Sequence, residues 1–216
     1  NKVMNALLLK ATEKFNARVA DIQGGSLRNA IPRESFVTVT VPENKAEELV
    51  AFVAEFEALV KEQFAAVEPE MSITIVPAEM PAKVIDKQTI ANLIEAVAKY
   101  PNGVIAMSKD FEGTVETSSN LAIVKLEGDH IMTASLQRSL VDASKDELAA
   151  EMRKVLESCG ARAESTGSYP GWKPNINSII YNTMKKVYEE KYGKTPKTMV
   201  IHAGLECGIL GSKYPN

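Results

Sequence analysis

A strand–helix–strand order that occurs twice constrains the fold more than any other feature of the sequence. In the first copy, residues 36–41 alternate apolar and polar side chains and are mostly β-branched, an amphipathic helix follows, and residues 71–76 alternate again. In the second copy, residues 131–139 and 161–165 are the strands on either side of a helix. Such crossovers cover a sheet with helices. The order therefore predicts an α+β fold in which an antiparallel sheet is covered by helices on one face.

Apolar periodicity and turn residues predict the other elements. An Asn44/Glu47 pair and a Ser144/Glu147 pair have the spacing of capping boxes at two helix starts. Val19 is the predicted inward position of the first strand, with Ile22 as a second candidate, and Gly24-Gly25-Ser26 ends the strand in a hairpin-type turn. The predicted helices cover residues 2–15, 44–64, 86–100, 144–158 and 176–192; the further strands cover residues 18–23, 104–107, 114–126 and 198–202.

A stiff loop at residues 169–174, Tyr-Pro-Gly-Trp-Lys-Pro, is the predicted domain boundary. Residues 1–168 then form one domain with the internal repeat, and residues 169–216 form a linker and the start of a second, α/β domain. The chain begins with Asn1 inside a helical pattern and stops soon after a glycine-rich loop at residues 203–208. We therefore expect it to be a fragment of a longer protein.

Composition excludes several classes of protein. Of the 216 residues, 45% are apolar and 25% charged, which is enough apolar material for a core. The net charge of -3, without a basic stripe, argues against nucleic acid as a partner, and no apolar run is long enough to span a membrane. Two cysteines suggest a reducing, cytoplasmic setting. Two histidines make a self-contained polynuclear metal site hard to build.

Three places carry candidate chemistry. The glycine-rich run at residues 202–208 follows a predicted strand, where open α/β sheets bind ligands, although a tight turn with a buried histidine is an equal alternative. Arg138 ends an apolar strand and has the fork-shaped donors that suit a carboxylate; a surface ion pair is its simpler role. Asn29 offers an amide before the Pro32 turn, or serves the turn alone. Cys207 lacks a well-placed base and is a poor candidate for a nucleophile.

These segments together resemble a known family. The Asn-Ala-Ile-Pro run at residues 29–32 resembles the lid-domain segment of the dinuclear zinc carboxypeptidase and dipeptidase clan. The remaining segments resemble the aminoacyl-histidine dipeptidases in particular, in the expected order over nearly the whole chain. They are residues 103–111, 115–122, 137–139, 169–172 and 202–208.

The resemblance implies the lid, or dimerisation, region of a cytoplasmic metallopeptidase. Such enzymes hydrolyse dipeptides that end in histidine, for example carnosine, with two zinc ions and a glutamate base acting on a bridging water. It also implies a homodimer formed through the lid. Asn29 then matches the lid asparagine that contacts the reacting substrate, and Arg138 a lid arginine for the substrate carboxylate. Gly204 and Glu206 lie in the matching substrate-side loop.

The family's zinc ligands and catalytic carboxylates have no counterparts in this sequence. The resemblance therefore implies that the catalytic residues lie outside it and that this chain alone hydrolyses nothing. Two alternatives stay open. One is a non-catalytic module that keeps the lid fold for self-association or peptide binding. The other is a related dipeptidase or tripeptidase of the same clan.

Overall fold

The computed structural model describes residues 1–172, 175–201 and 206–214. This part of the chain forms an antiparallel sheet flanked by helices, which confirms the predicted fold class. The elements are α1 (Lys2–Phe15), β1 (Arg18–Gly24), β2 (Ser35–Thr40), α2 (Ala46–Phe64), α3 (Lys87–Lys99), β3 (Gly103–Met107), β4 (Val115–Glu127), β5 (His130–Ser139), α4 (Asp142–Ser158), α5 (Ile179–Tyr192) and α6 (Glu206–Lys213).

Strands β1 and β4 organise the sheet. β1 runs antiparallel to both β2 and β4, β3 runs antiparallel to β4, and β5 also pairs with β4. The register of β1 on β2 shifts between Val19 and Asp21. A bulge of this kind turns residues three apart toward one face, and both Val19 and Ile22 are indeed buried. The inward positions predicted for this strand are therefore confirmed.

The chain divides into two compact units. The first comprises residues 1–100, 120–136 and 153–163; the second comprises residues 101–119, 137–152 and 164–216. Helices α1 and α2 supply the main apolar cluster of the first unit, where the rings of Phe15 and Phe52 lie 5.3 Å apart. Its buried members are Leu7, Ala11, Phe15, Ala17, Leu49 and Val53.

The prediction of a strand at residues 71–76 is wrong, although partly buried and exposed side chains do alternate there. Ile73 and Ile75 pack against the α1–α2 cluster, and Thr74 between them is exposed. The segment is nevertheless not part of the sheet. The Ile73 N–H donates to the Glu57 carboxylate of α2, 3.2 Å away, instead of to a neighbouring strand. The alternating pattern reports which side chains face the core, whereas a strand also requires a backbone partner.

The predictions of strands at residues 161–165 and 198–202 are not confirmed either. The structure has no strand at residues 161–165, where the chain leaves α4 through Gly160 in the left-handed conformation. The Ala161 N–H there turns back to the Leu156 carbonyl. No strand occurs at residues 198–201 either, and His202 lies outside the described residues. Each repeat therefore consists of a strand, a helix and an unpaired return segment.

Several predicted element ends differ in the structure, and α5, for example, begins at Ile179 rather than at residue 176. Asn44 lies in a 3₁₀ turn before α2, whose N-cap is Lys45, and α4 begins at Asp142 rather than at Ser144. The Ser144 hydroxyl donates to Glu116 at 3.5 Å, so it caps no helix. The glycine-rich loop predicted to run to residue 208 gives way to α6 at residue 206. Among the described residues, no helix is both long and apolar enough to cross a membrane.

Candidate functional site

Asn29 lies in the loop that joins β1 to β2. These strands form a hairpin whose last pair is Gly24 and Ser35, in line with the hairpin-type turn predicted at residues 24–26, and the connection is a ten-residue loop (residues 25–34). Within it, the Ala30 N–H donates to the Leu27 carbonyl at 3.2 Å and closes a turn around Asn29. The Asn29 side chain is exposed at this turn. We call residues 25–34 the asparagine loop.

Strand β4 holds the asparagine loop at two points. The Asn120 side-chain amide donates to the Ala30 carbonyl at 2.8 Å. At the start of the loop, Gly25 has φ +77°, and a Cβ placed there would lie 1.9 Å from the carbonyl oxygen of Ala122. Only glycine permits both this conformation and this approach. The backbone on either side of Asn29 is therefore fixed to the sheet, while the Asn29 amide stays accessible.

Arg138 lies near the end of β5, in the second unit, and its side chain is half-buried. The residues that follow it tie the strand end to β4. The Ser139 hydroxyl lies 2.9 Å from that of Thr117, and the Leu140 N–H donates to the Glu116 carbonyl at 3.0 Å. Arg138 therefore projects from a backbone that hydrogen bonds hold immediately downstream.

A loop packs directly against this strand end. A Cβ placed on Gly171 would lie 3.0 Å from the Leu140 carbonyl oxygen, and one on Gly208 would lie 3.2 Å from the Pro170 carbonyl oxygen. The backbone of residues 169–172 therefore fits between the end of β5 and the first turns of α6. We call residues 138–142, 169–172 and 206–208 the strand-end junction. It brings the segments that carry Arg138 and Glu206 together.

Asp142 connects the parts of the strand-end junction. Its carboxylate accepts hydrogen bonds from the Lys145 ammonium at 2.7 Å and from the Gly171 N–H at 2.8 Å. Lys145 also donates to the Tyr169 carbonyl at 2.7 Å. The Lys145 hydrogen bond, followed by that from Gly171, lowers the pKa of Asp142, because both donors favour the charged form over a small opposing effect of burial.

We expect Asp142→Ala to lower the stability of the chain only at pH values at which the Asp142 carboxylate of the wild type is charged. Because the folded pKa of Asp142 is lowered, its contribution is present above the ordinary aspartate pKa of about 3.9 and is lost as pH falls through the folded pKa. The side chain is 52% exposed, so the loss near pH 7 is at most about 1 kcal/mol.

Thermal unfolding followed from about pH 7 down to about pH 2 tests this expectation. The control is Asp146→Ala, which removes an exposed aspartate from the same helix. The stability difference between wild type and Asp142→Ala should shrink toward acid pH. A difference that stays constant over this range would show that the carboxylate charge contributes nothing.

The structure describes three of the four predicted site residues, and they do not all lie in one compact unit. Asn29 lies in the first unit, whereas Arg138 and Glu206 lie in the second. Glu206 is the exposed first residue of α6, and Gly204 lies outside the described residues. Within residues 1–172, 175–201 and 206–214, no group of three or more His, Cys, Asp or Glu side chains could hold a metal ion.

Sequence reasoning missed the residues that support these positions. Asn120 lies in the run at residues 115–122, but its role was not predicted, and neither were those of Asp142 and Lys145. All three bond to backbone groups distant in sequence, a role that no motif identifies. Gly25 and Gly171 are visible in the sequence as glycines, but their close approach to other strands is a tertiary property.

Comparisons with known proteins identify relatives of the whole chain. Residues 1–68 match a family described as the peptidase dimerisation domain. The chain is 33% identical over 215 residues to the cytosol non-specific dipeptidase of Escherichia coli (strain K12), an alignment covering all of this chain and 44% of that protein.

A solved structure agrees with this result. The aminoacylhistidine dipeptidase from Vibrio alginolyticus superposes with a TM-score of 0.94 at 36% identity, over 100% of this chain and 44% of that one. The chain thus spans less than half the length of either relative. The resemblance stated from the sequence is confirmed: residues 1–68 match a peptidase dimerisation domain, and the whole chain is similar in sequence and fold to part of two dipeptidases.

Proposed function

We propose that this chain is the lid and dimerisation region, with the first return element of the catalytic domain, of a metal-dependent dipeptidase acting on dipeptides with a C-terminal histidine. The observation that carries the proposal is the match of the entire chain, at 36% identity, to a solved aminoacylhistidine dipeptidase. The identity is moderate but extends over the full chain, including the segments that carry Asn29 and Arg138. Residues 1–168 are the lid, and residues 169–216 are the linker and the start of the catalytic domain.

Helix α5 supports this division. None of its residues is buried, and its apolar side chains Ile179, Ile180 and Met184 are 86%, 68% and 63% exposed. An amphipathic helix is stable in a globular protein when its apolar face packs against another element. The apolar face of α5 is therefore the surface on which we place the rest of the catalytic domain.

Two lid residues have chemistry that suits a dipeptide. Arg138 can offer two parallel N–H donors to the C-terminal carboxylate of the substrate. Asn29 can donate from its accessible amide to the oxygen that becomes negative as water attacks the peptide carbonyl. Gly204 and Glu206 belong to the loop and helix start on the substrate side, where we propose substrate contact without assigning individual steps.

The zinc ions of the proposed enzyme would be held outside this chain. The described residues present no cluster that fits a zinc pair, so we derive no step through the metal from them. When bound in the full-length protein, such ions would activate the attacking water. This chain would supply substrate contacts and, through the dimerisation domain, the surface of a homodimer in the cytoplasm.

One observation favours a second function, a dipeptidase of broader specificity. The Escherichia coli relative, 33% identical along the chain, is described as a non-specific dipeptidase. The two candidates share the fold and the lid contacts to the substrate backbone. They differ in whether the enzyme requires histidine as the second residue.

The full-length protein tests both candidates. After chelation, with and without added zinc, it is assayed on carnosine and on a panel of dipeptides whose second residue is varied. Hydrolysis restored by zinc and confined to Xaa-His dipeptides supports the first candidate; equal rates over the panel support the second. A folded, zinc-loaded protein that hydrolyses none of them contradicts both and leaves the non-catalytic module.

A further inference from the structure

We propose that Asn120 is a positioning residue that holds Asn29 in place for the reaction. The proposal rests on the proposed function, because it assumes that Asn29 contacts the reacting substrate. Asn120 itself is not a catalytic residue, since its amide is directed to the backbone of the asparagine loop.

The geometry connects Asn120 to Asn29 through the backbone of Ala30. Asn120 lies on β4, ninety residues along the chain from Ala30, and its amide reaches the Ala30 carbonyl at 2.8 Å. Ala30 directly follows Asn29 and closes the turn through its own N–H. The N–H and the carbonyl of Ala30 belong to the two peptide groups on either side of its Cα. Holding both fixes the backbone next to Asn29 and therefore the direction in which the Asn29 side chain leaves it.

A long exposed loop needs such an anchor. Gly25 fixes only the beginning of the asparagine loop, where it approaches Ala122, and β2 begins after the loop, at Ser35. Between these points, the Asn120 hydrogen bond is the side-chain link from the sheet to the middle of the loop among the described residues. Strand β4 is a rigid platform, since residues 121–124 that follow Asn120 are all buried.

The test is a double-mutant cycle in the full-length protein with carnosine as substrate. We expect Asn120→Ala to lower kcat by about tenfold to a hundredfold, the loss typical of a misplaced reacting group, with a smaller change in KM. Asn29→Ala should also lower kcat. If Asn120 acts through Asn29, the double variant is no slower than Asn29→Ala alone.

Two further variants separate positioning from a general effect on structure. Asn120→Asp is nearly isosteric but cannot donate to a carbonyl when charged, so we expect it to lower kcat as the alanine variant does. Asn92→Ala removes another asparagine side chain of the first unit, on α3, where it accepts a hydrogen bond from Gln88, and should leave kcat unchanged. In Asn120→Ala, amide hydrogen exchange should accelerate at residues 27–34. Unchanged exchange in β1 and β2 would show that the variant remains folded.

Some results would overturn the proposal. If the kcat losses of the two single variants multiply in the double variant, Asn120 acts independently of Asn29 and only this proposal fails. The same holds if Asn120→Asp retains wild-type kcat or if exchange in the asparagine loop is unchanged. If Asn29→Ala has wild-type kcat, the role assigned to Asn29 in the proposed function fails as well.

Discussion

Replacing Gly25 with alanine is expected to lower the free energy of unfolding of this chain by at least about 3 kcal/mol. Two physical effects add. The backbone at Gly25 has φ +77°, which L side chains rarely adopt, and the new Cβ would lie 1.9 Å from the Ala122 carbonyl oxygen. Because that oxygen belongs to the backbone of a buried strand, the asparagine loop must move away from β4.

Gly113→Ala separates the two effects. Gly113 has φ +74°, nearly the same value, but no atom within 4 Å of the position where a Cβ would stand. We expect its substitution to cost only the backbone strain, about 1–2 kcal/mol. Urea unfolding of both variants and the wild type gives the comparison. Equal losses for Gly25→Ala and Gly113→Ala would mean that the approach to Ala122 contributes nothing.

Arg138→Ala in the full-length protein is expected to reduce kcat/KM for carnosine by about tenfold to a hundredfold, without loss of the fold. The reason is the loss of the charge-assisted contact that we propose between Arg138 and the substrate carboxylate, which no other residue of the strand-end junction is proposed to make. Arg138→Lys keeps the charge but not the paired donors, so we expect it to recover only part of the activity.

A substrate without the carboxylate makes this assignment specific. Wild type should strongly prefer carnosine over its C-terminal amide, and Arg138→Ala should lose most of that preference. If both proteins discriminate between the two substrates to the same degree, Arg138 does not bind the carboxylate. A variant with wild-type kinetics would indicate that Arg138 makes only a surface ion pair.

Local periodicity was sufficient to predict helices α1 to α5 and the long strands, whereas α6 was expected to be part of a glycine-rich loop. The spacing of apolar residues in helix α1 (Lys2–Phe15) and in strand β4 is enough to predict both elements. Residues 71–76 have an equally clear alternation and are still unpaired, because a sheet edge depends on which backbone groups are available in three dimensions. The two capping boxes failed for a related reason, since the spacing of two residues does not decide where a helix begins.

The candidate site was only partly predictable. Asn29 and Arg138 could be named because the resemblance supplied roles for their motifs, and the structure then placed one in the asparagine loop and the other at the end of β5. The anchors Asn120 and Asp142 were missed because a side chain that hydrogen-bonds to a distant backbone group leaves no periodic trace.

The exposed apolar face of α5 determines how association of the isolated chain must be interpreted. In water, the exposed side chains of Ile179, Ile180 and Met184 would promote nonspecific self-association of the chain. This would occur in addition to any dimerisation through residues 1–68. The molar mass of the isolated chain in solution would therefore combine a specific dimer with nonspecific self-association. Polar substitutions on α5 would remove the second contribution and leave the dimerisation equilibrium to be measured by itself.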